Sequence, residues 1–240
     1  MEIVAGDRHF AALNDEVRAC ADAEVVIRGC IGQRYIAAGL GGKKIEIIGT
    51  PGNALGAYLD GCTVTVRGNA QDATGDTMNG GEIVVYGNAG DATGYAMRGG
   101  RILVRGNVGY RCGIHMKAYG ENRPAVVIGG RAGSFLGEYQ AGGTLIVLGL
   151  HTDGRPIIGN FCGTGMHGGE IYLRCDKVPT ALPAQVKAEK LARFPAGDAE
   201  KLVRAWCAAF GEDAETLLAS PCWRLTPNTE NPYKQMYTSN

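Results

Sequence analysis

Short apolar runs recur along the middle of the chain on a fixed beat. Val26, Ile45, Val64, Ile83 and Ile102 stand 19 residues apart, and later runs begin at Val126, Leu145 and Ile171, after steps of 24, 19 and 26. The runs are rich in β-branched residues, as in Ile83-Val84-Val85, and Gly-Asn, Gly-Asp or Gly-Gly pairs separate them, a pattern of strands divided by turns. Three segments align without gaps: GNAQDATGDTMNGGEIVVY (68–86), GNAGDATGYAMRGGRILVR (87–105) and GNVGYRCGIHMKA (106–118). A unit of 19 residues is too short for a strand, a full helix and two loops, and it cannot bury its apolar side chains alone. Stacking solves both problems, each strand pairing in parallel with its equivalent about 4.8 Å above and below. The pattern therefore predicts a mainly β chain, a single-stranded parallel β-helix of about eight coils between Val25 and Arg174.

Reading down the aligned units sorts the positions by role. Met78, Met97, Met116 and Met166 share one column with Leu59, which suits a narrow interior that an unbranched side chain can fill. One place later stand Asp60, Asn79, Arg98, Lys117 and His167, polar in every unit and expected to face solvent. Asn69, Asn88 and Asn107 follow Gly68, Gly87 and Gly106 at a corner and predict an asparagine ladder bonded along the stack. Gly75, Gly94 and Gly113, with the pairs Gly80-Gly81 and Gly99-Gly100, complete the set of structural positions, where tight corners need positive φ or leave no room for a Cβ.

The ends read differently. In 7–21, Phe10, Leu13, Val17 and Cys20 have helical spacing, with Asp7 as a candidate N-cap, so 1–24 is expected to be a helical cap on the first coil. Only two glycines follow Arg174, while six of the nine prolines lie from Pro179 onward. Ala184–Arg193 and Asp198–Phe210 look helical, the latter with Leu202, Val203, Trp206 and Phe210 on one face, and Glu212–Ala219 is a third short candidate. The last twenty residues, with Trp223, Tyr233 and Tyr237, have no period and are expected to form an aromatic-anchored tail. The domain reading is thus 1–24 cap, 25–174 β-helix and 175–240 helical extension with tail.

Composition narrows the chemistry. Of 38 glycines among 240 residues, 35 lie between Gly29 and Gly169, without the strict triplet of collagen, and 45% of residues are hydrophobic, too many for a flexible linker. The 24 basic and 24 acidic side chains cancel, which argues against nucleic acid as a partner. No apolar run reaches membrane length, and the N-terminus lacks a signal-peptide pattern, so a cytoplasmic chain with reduced, mostly buried thiols is expected. The eight cysteines, at 20, 30, 62, 112, 162, 175, 207 and 222, show no C-x-x-C pair. GTGMHG (163–168) fits G-x-G-x-x-G but precedes a strand, where dinucleotide binding needs a helix N-terminus. GLGGKK (39–44) lacks the Walker pattern, and Asp72 and Asp91 read as turn aspartates, because Asn53 and Tyr110 interrupt any acidic ladder. His9, His115, His151 and His167 have no metal-type partner nearby in sequence, and no serine elbow is visible. No catalytic, cofactor-binding or metal residue is therefore assigned. The insertions at 119–124 and 150–162 are the candidate binding loops.

The G-x-x-G-x-x-M-x-G-G-x-I-x-V-x-G-N units resemble the glycine-repeat domain at the C-terminus of the glutamate synthase alpha subunit. GQRYIAAGL (32–40), residues 68–100, GYRCGIHMK (109–117), FLGEY (135–139) and PNTENPYKQMY (227–237) carry the resemblance, the last looking like the tails of stand-alone versions. A related repeat occurs in the C subunit of formylmethanofuran dehydrogenase. The resemblance implies a right-handed β-helix acting as a strut without a cofactor of its own. It also implies partners in nitrogen metabolism and glutamate biosynthesis, namely a glutaminase-type amidotransferase subunit and a synthase subunit carrying FMN and iron–sulfur centres, with a homo-oligomer possible. The competing expectations are a formylmethanofuran dehydrogenase C-like scaffold and, behind it, an autonomous β-helix enzyme such as a polysaccharide lyase or acyltransferase.

Overall fold

The computed structural model describes residues 1–178 and 181–228, which hold eleven strands and three helices. In chain order these are β1 (Glu2–Val4), α1 (Phe10–Ala19), β2 (Glu24–Ile31), β3 (Lys44–Thr50), β4 (Asp60–Val66), β5 (Gly80–Val85), β6 (Arg101–Val104), β7 (Ala125–Ile128), β8 (Ala141–Val147), β9 (Gly168–Leu173), β10 (Val186–Leu191), α2 (Asp198–Phe210), α3 (Ala214–Leu218) and β11 (Cys222–Pro227). All eleven strands belong to one sheet of order β1-β2-β3-β4-β5-β6-β7-β8-β9-β11-β10. Pairing is parallel from β1 to β9, whereas β11 joins β9 and β10 antiparallel.

The mainly β expectation agrees with this arrangement, but the parallel β-helix does not: the chain forms one 11-stranded mixed sheet. The reason is local. Much of each unit is spent in a turn that alternates left-handed with ordinary backbone, as at Ala73 (φ 57°), Gly75 (φ 71°) and Thr77 (φ 51°), and such backbone cannot extend into a second strand. Outside the named strands, pairing is limited among the described residues to isolated bridges such as Ala89 with Val108 and Ala132 with Ile158. The turns still bond to their equivalents. The N–H groups of Ala73 and Thr77 donate to the carbonyls of Asp91 (2.8 Å) and Tyr95 (2.7 Å) in the following turn, and that of Gly75 to Leu55 (2.8 Å) in the preceding one.

Strands β2 to β9 turn alternate side chains to one buried cluster. Val25, Ile45, Val64, Ile83, Ile102, Val126, Leu145 and Ile171 stand in one register row. The first member is Val25, not Val26, because a bulge beside Arg28 and Cys30 displaces β2. The row joins the fully buried Leu59, Met78, Met97, Met116 and Met166 in that cluster. The opposite face is buried from β5 onward, where Val84, Leu103, Val127, Ile146 and Tyr172 meet Val203, Trp206 and Cys207 of α2 and Leu217 and Leu218 of α3. This explains a difference in strand composition. TVTV in β4 alternates, while AVVI in β7 is apolar throughout because both of its faces are covered. The Trp206 indole N–H donates to the Val104 carbonyl at 2.9 Å and is buried, which pins α2 to the sheet.

Several end elements depart from the sequence expectation. His9, not Asp7, caps α1, its ring nitrogen accepting from the Ala11 N–H at 3.3 Å. The helix lies against the first turn, with Asn14 donating to the Arg34 carbonyl at 2.9 Å, but the sheet edge itself is covered by β1. The expected helix over Ala184–Arg193 is instead β10. Its exposed Lys187, Glu189 and Lys190 suit a helix in isolation, but six register pairs with β11 hold it extended. Trp223 belongs to β11 and not to the expected aromatic-anchored tail, whereas Tyr233 and Tyr237 lie outside the described residues.

Two glycines in adjoining strands separate conformational from steric demand. Gly61 (φ 93°) has open space where a Cβ would go; Gly81 (φ 91°) does not, because that Cβ would overlap the Cys62 carbonyl oxygen across the sheet. Gly61→Ala is expected to lose about 1–2 kcal/mol by chemical denaturation from φ strain alone. Gly81→Ala should lose more than about 3 kcal/mol, because backbone must also move. Equal losses would contradict the close-approach account.

Candidate functional site

The residues singled out by the repeat form two side-chain ladders. The Asn69 Oδ1 accepts the Asn88 N–H at 2.8 Å, the Asn88 Oδ1 accepts the Asn107 N–H at 2.8 Å, and the Asn107 Oδ1 accepts the Arg131 N–H at 2.8 Å. Asp72 and Asp91 do the same work three residues on, their Oδ1 atoms accepting the N–H groups of Asp91 (2.9 Å) and Tyr110 (2.8 Å). Ser134 repeats the motif with Asn160 at 3.0 Å. Each oxygen occupies the place where a side chain would begin one unit further on. A Cβ on Gly87, Gly106, Gly130, Gly90 or Gly109 would overlap the Asn69, Asn88, Asn107, Asp72 or Asp91 oxygen respectively. Gly68 approaches the Gly49 carbonyl, and Gly99 and Gly100 approach Asn79 and Gly81 in the same way. Gly75, Gly94 and Gly113 supply the positive φ (71°, 72° and 68°) at the centre of their turns, and Gly80 faces Asp60. These polar groups are thus engaged in the frame.

The methionine column has one polar member. Gln140 takes the place between Met116 and Met166 and is fully buried. Its amide donates to the carbonyls of Gly142 (3.3 Å) and Gly143 (3.1 Å), while its Oε1 accepts from no donor among the described residues. In the polar column Asp60, Asn79, Arg98 and Lys117 are exposed, and His167 is half-buried.

A concavity of about 590 Å³ adjoins the 119–124 insertion. Glu121 and Arg123 from this insertion face Glu82, Arg101 and Thr144 on the sheet and Asp198 and Lys201 at the start of α2. Arg101 pairs with Glu82, Arg123 with Asp198 at 3.5 Å, and Lys201 with Asp198 at 3.9 Å. Three cations therefore meet three carboxylates, and the groove offers mixed polar recognition without a strong field of either sign. Sequence reading found the insertion but missed Asp198 and Lys201, whose i, i+3 spacing marks a second side of α2. The 150–162 insertion serves differently, tucking Ile157 and Ile158 into the core and returning to the ladder by the Ile158–Ala132 bridge.

Among the described residues, no three His, Cys, Asp or Glu side chains group as a metal site would need. All eight cysteines are free thiols, six of them buried, with Cys20 and Cys175 half-buried. Burial pushes the Cys112 and Cys162 thiols up to about 12, and those of Cys207 and Cys222 to about 11. An unfolded thiol ionises near 9.0, so these four contribute no pH dependence below that value. Above it the unfolded chain releases protons that the folded chain keeps, and stability falls as pH rises.

Two outcomes follow. Asn88→Ala is expected to lower stability by about 0.5–1.5 kcal/mol, while Asn88→Asp, which keeps the acceptor, stays close to the parent; thermal denaturation of the pair checks this. In mildly alkaline iodoacetamide the native protein should be alkylated at Cys20 and Cys175 well before the other six, as peptide mass mapping reads. Early modification of Cys112 or Cys162 would contradict their burial.

Comparison with known proteins places this architecture. Residues 12–220 match the GXGXG motif family. An uncharacterised protein of Methanocaldococcus jannaschii, MJ1350, is 42% identical over 254 aligned positions, spanning 98% of this chain and 95% of that protein. The solved formyltransferase/hydrolase complex (FhcABCD) of Methylorubrum extorquens, determined with methylofuran, contains a chain that superposes with a TM-score of 0.63. The match covers 86% of this chain and 74% of that one at 22% identity, a likeness of fold. With the family pattern running through nearly the whole repeat region and both of its flanks, this chain belongs to the GXGXG motif family.

Proposed function

We propose that the chain is a scaffold subunit of a glutamate synthase-like, multi-subunit oxidoreductase. In this reading it bridges a glutaminase-type amidotransferase subunit and a synthase subunit carrying FMN and iron–sulfur centres, and works in the cytoplasm. The observation that carries it is the use of the repeat's polar side chains. Asn69, Asn88, Asn107, Asp72 and Asp91 each hold a backbone N–H of the next unit, so the family pattern is spent on a rigid frame. The resemblance of residues 68–100 and 227–237 to glutamate synthase sequences supplies the assembly. The division into a 1–24 cap, a 25–174 repeat and a 175–240 extension is part of the same proposal. A second reading, a formylmethanofuran dehydrogenase C-like scaffold, gains support from the fold shared with a chain of the formyltransferase/hydrolase complex.

Affinity purification of the tagged full chain from its native source, with mass spectrometry of what accompanies it, separates the two. Glutaminase-type and flavin/iron–sulfur partners are the expected result. Partners that handle formyl groups or a molybdenum or tungsten pterin would move the assignment to the second reading. Glutamine hydrolysis or a flavin spectrum from the isolated chain would defeat both.

A further inference from the structure

The sheet ends on β10, whose outer side pairs with no other strand among the described residues. Which of its backbone groups face outward follows from the register. The Asn228 N–H donates to the Gln185 carbonyl at 2.8 Å, and the ladder between β10 and β11 continues that pairing, from Val186 opposite Pro227 to Leu191 opposite Cys222. Bonded and open pairs alternate along an antiparallel ladder. Lys187, Glu189 and Leu191 therefore bond to β11, while Val186, Ala188 and Lys190 turn their N–H and C=O groups away from it. Pro227 agrees with this phase, since a residue without an N–H could not complete a bonded pair with Val186. The Val186 N–H is taken by the Pro183 carbonyl at 2.9 Å. The remaining outward groups have no partner among the described residues, and Ala188 and Lys190 are exposed.

We propose that β10 pairs antiparallel with β10 of a second copy, about a two-fold axis through Ala188, so that one sheet continues through the dimer. An open strand edge accepts another strand by its backbone alone, and the side chains decide which strand and which register. The run VKAEKL is complementary to itself in one register only. The outward groups belong to even-numbered residues, so even must face even and the axis must pass through a residue. An axis through Lys187 or Glu189 sets each against its own copy, like charge on like. An axis through Ala188 sets Lys187 opposite the second copy's Glu189 on both sides, and Lys190 opposite Val186. Lys187 makes no ion pair among the described residues, and Glu189, held by Arg224 at 2.6 Å, keeps lone pairs to accept a second cation. In that register each Ala188 N–H donates to the other copy's Ala188 carbonyl, and each Lys190 N–H to the other copy's Val186 carbonyl. The contact is short and the dimer weak and reversible. It is independent of which larger assembly the chain serves.

Sedimentation velocity on the purified full chain, in a concentration series reaching ~1 mM, tests it. The parent is expected to show a reversible dimer at the upper end. Lys187→Glu and Glu189→Lys should each weaken association by about tenfold or more, and the two together should restore it. Ala188→Pro should abolish the dimer while leaving the melting temperature of the dilute monomer near the parent's, because the lost N–H bonds nothing within the chain. A parent that stays monomeric throughout would overturn the inference and assign the charges to keeping the edge single. A dimer indifferent to Ala188→Pro would overturn it too, as would single reversals that weaken association without recovery in the double variant.

Discussion

Backbone meeting backbone between equivalent turns is the constraint from which the rest of this protein follows. An Asn or Asp oxygen of one unit reaches an N–H of the next and passes through the space a Cβ would fill, so the glycines there are required by contact as well as by conformation. One such bond is worth only about 1 kcal/mol. Two ladders running together make any slip of a unit break both, and they hold the strands in sequence order and in parallel register. The sheet and the turns thereby fix one another: the bulges at Arg28/Cys30, Asp60/Thr63 and Ala141/Thr144 are absorbed without loss of the inward row.

That frame determines where chemistry is and is not placed. Inward positions are given to Val, Ile, Leu and Met, and the outward face is divided, polar over β2 to β4 and apolar from β5, where α2 and α3 lie on it. Trp206 ties that cover to the sheet, and Gly129 leaves the room its ring needs. Surface variety is left to the insertions and turn edges: the groove beside Glu121 and Arg123, and the row of rings from Tyr35 to Phe161. A molecule so built offers fixed surfaces for other chains to meet, which is the physical content of the scaffold reading.

Much of this was legible in the chain itself. The 19-residue beat, the longer steps of 24 and 26, the methionine column and the asparagine ladder are all sequence features, and the register and hydrogen bonds match them. In the sequence Asp72 and Asp91 look like plain turn residues, because their role depends on a glycine 18 residues later in each case, Gly90 and Gly109. The stacked ring pairs on the turns, His115 with Tyr139 and Phe135 with Phe161, stand 24 and 26 residues apart, the lengths of the two longer steps of the repeat. What no sequence pattern marked was the left-handed backbone beneath those rings, since glycine and alanine hold the same places elsewhere.

The sequence by itself determined the repeat, which side chains face inward and where glycine is compulsory, because these depend on units that are copies of one another. Tertiary structure decided everything that depends on an unlike partner. Residues 186–191 have the composition of a helix and become a strand because β11 offers an edge; Trp223 leaves the tail for the same reason. The units close through left-handed turns into one mixed sheet and not a β-helix, because the conformation of a turn is set by its contact with the turns on either side, which a single unit does not contain.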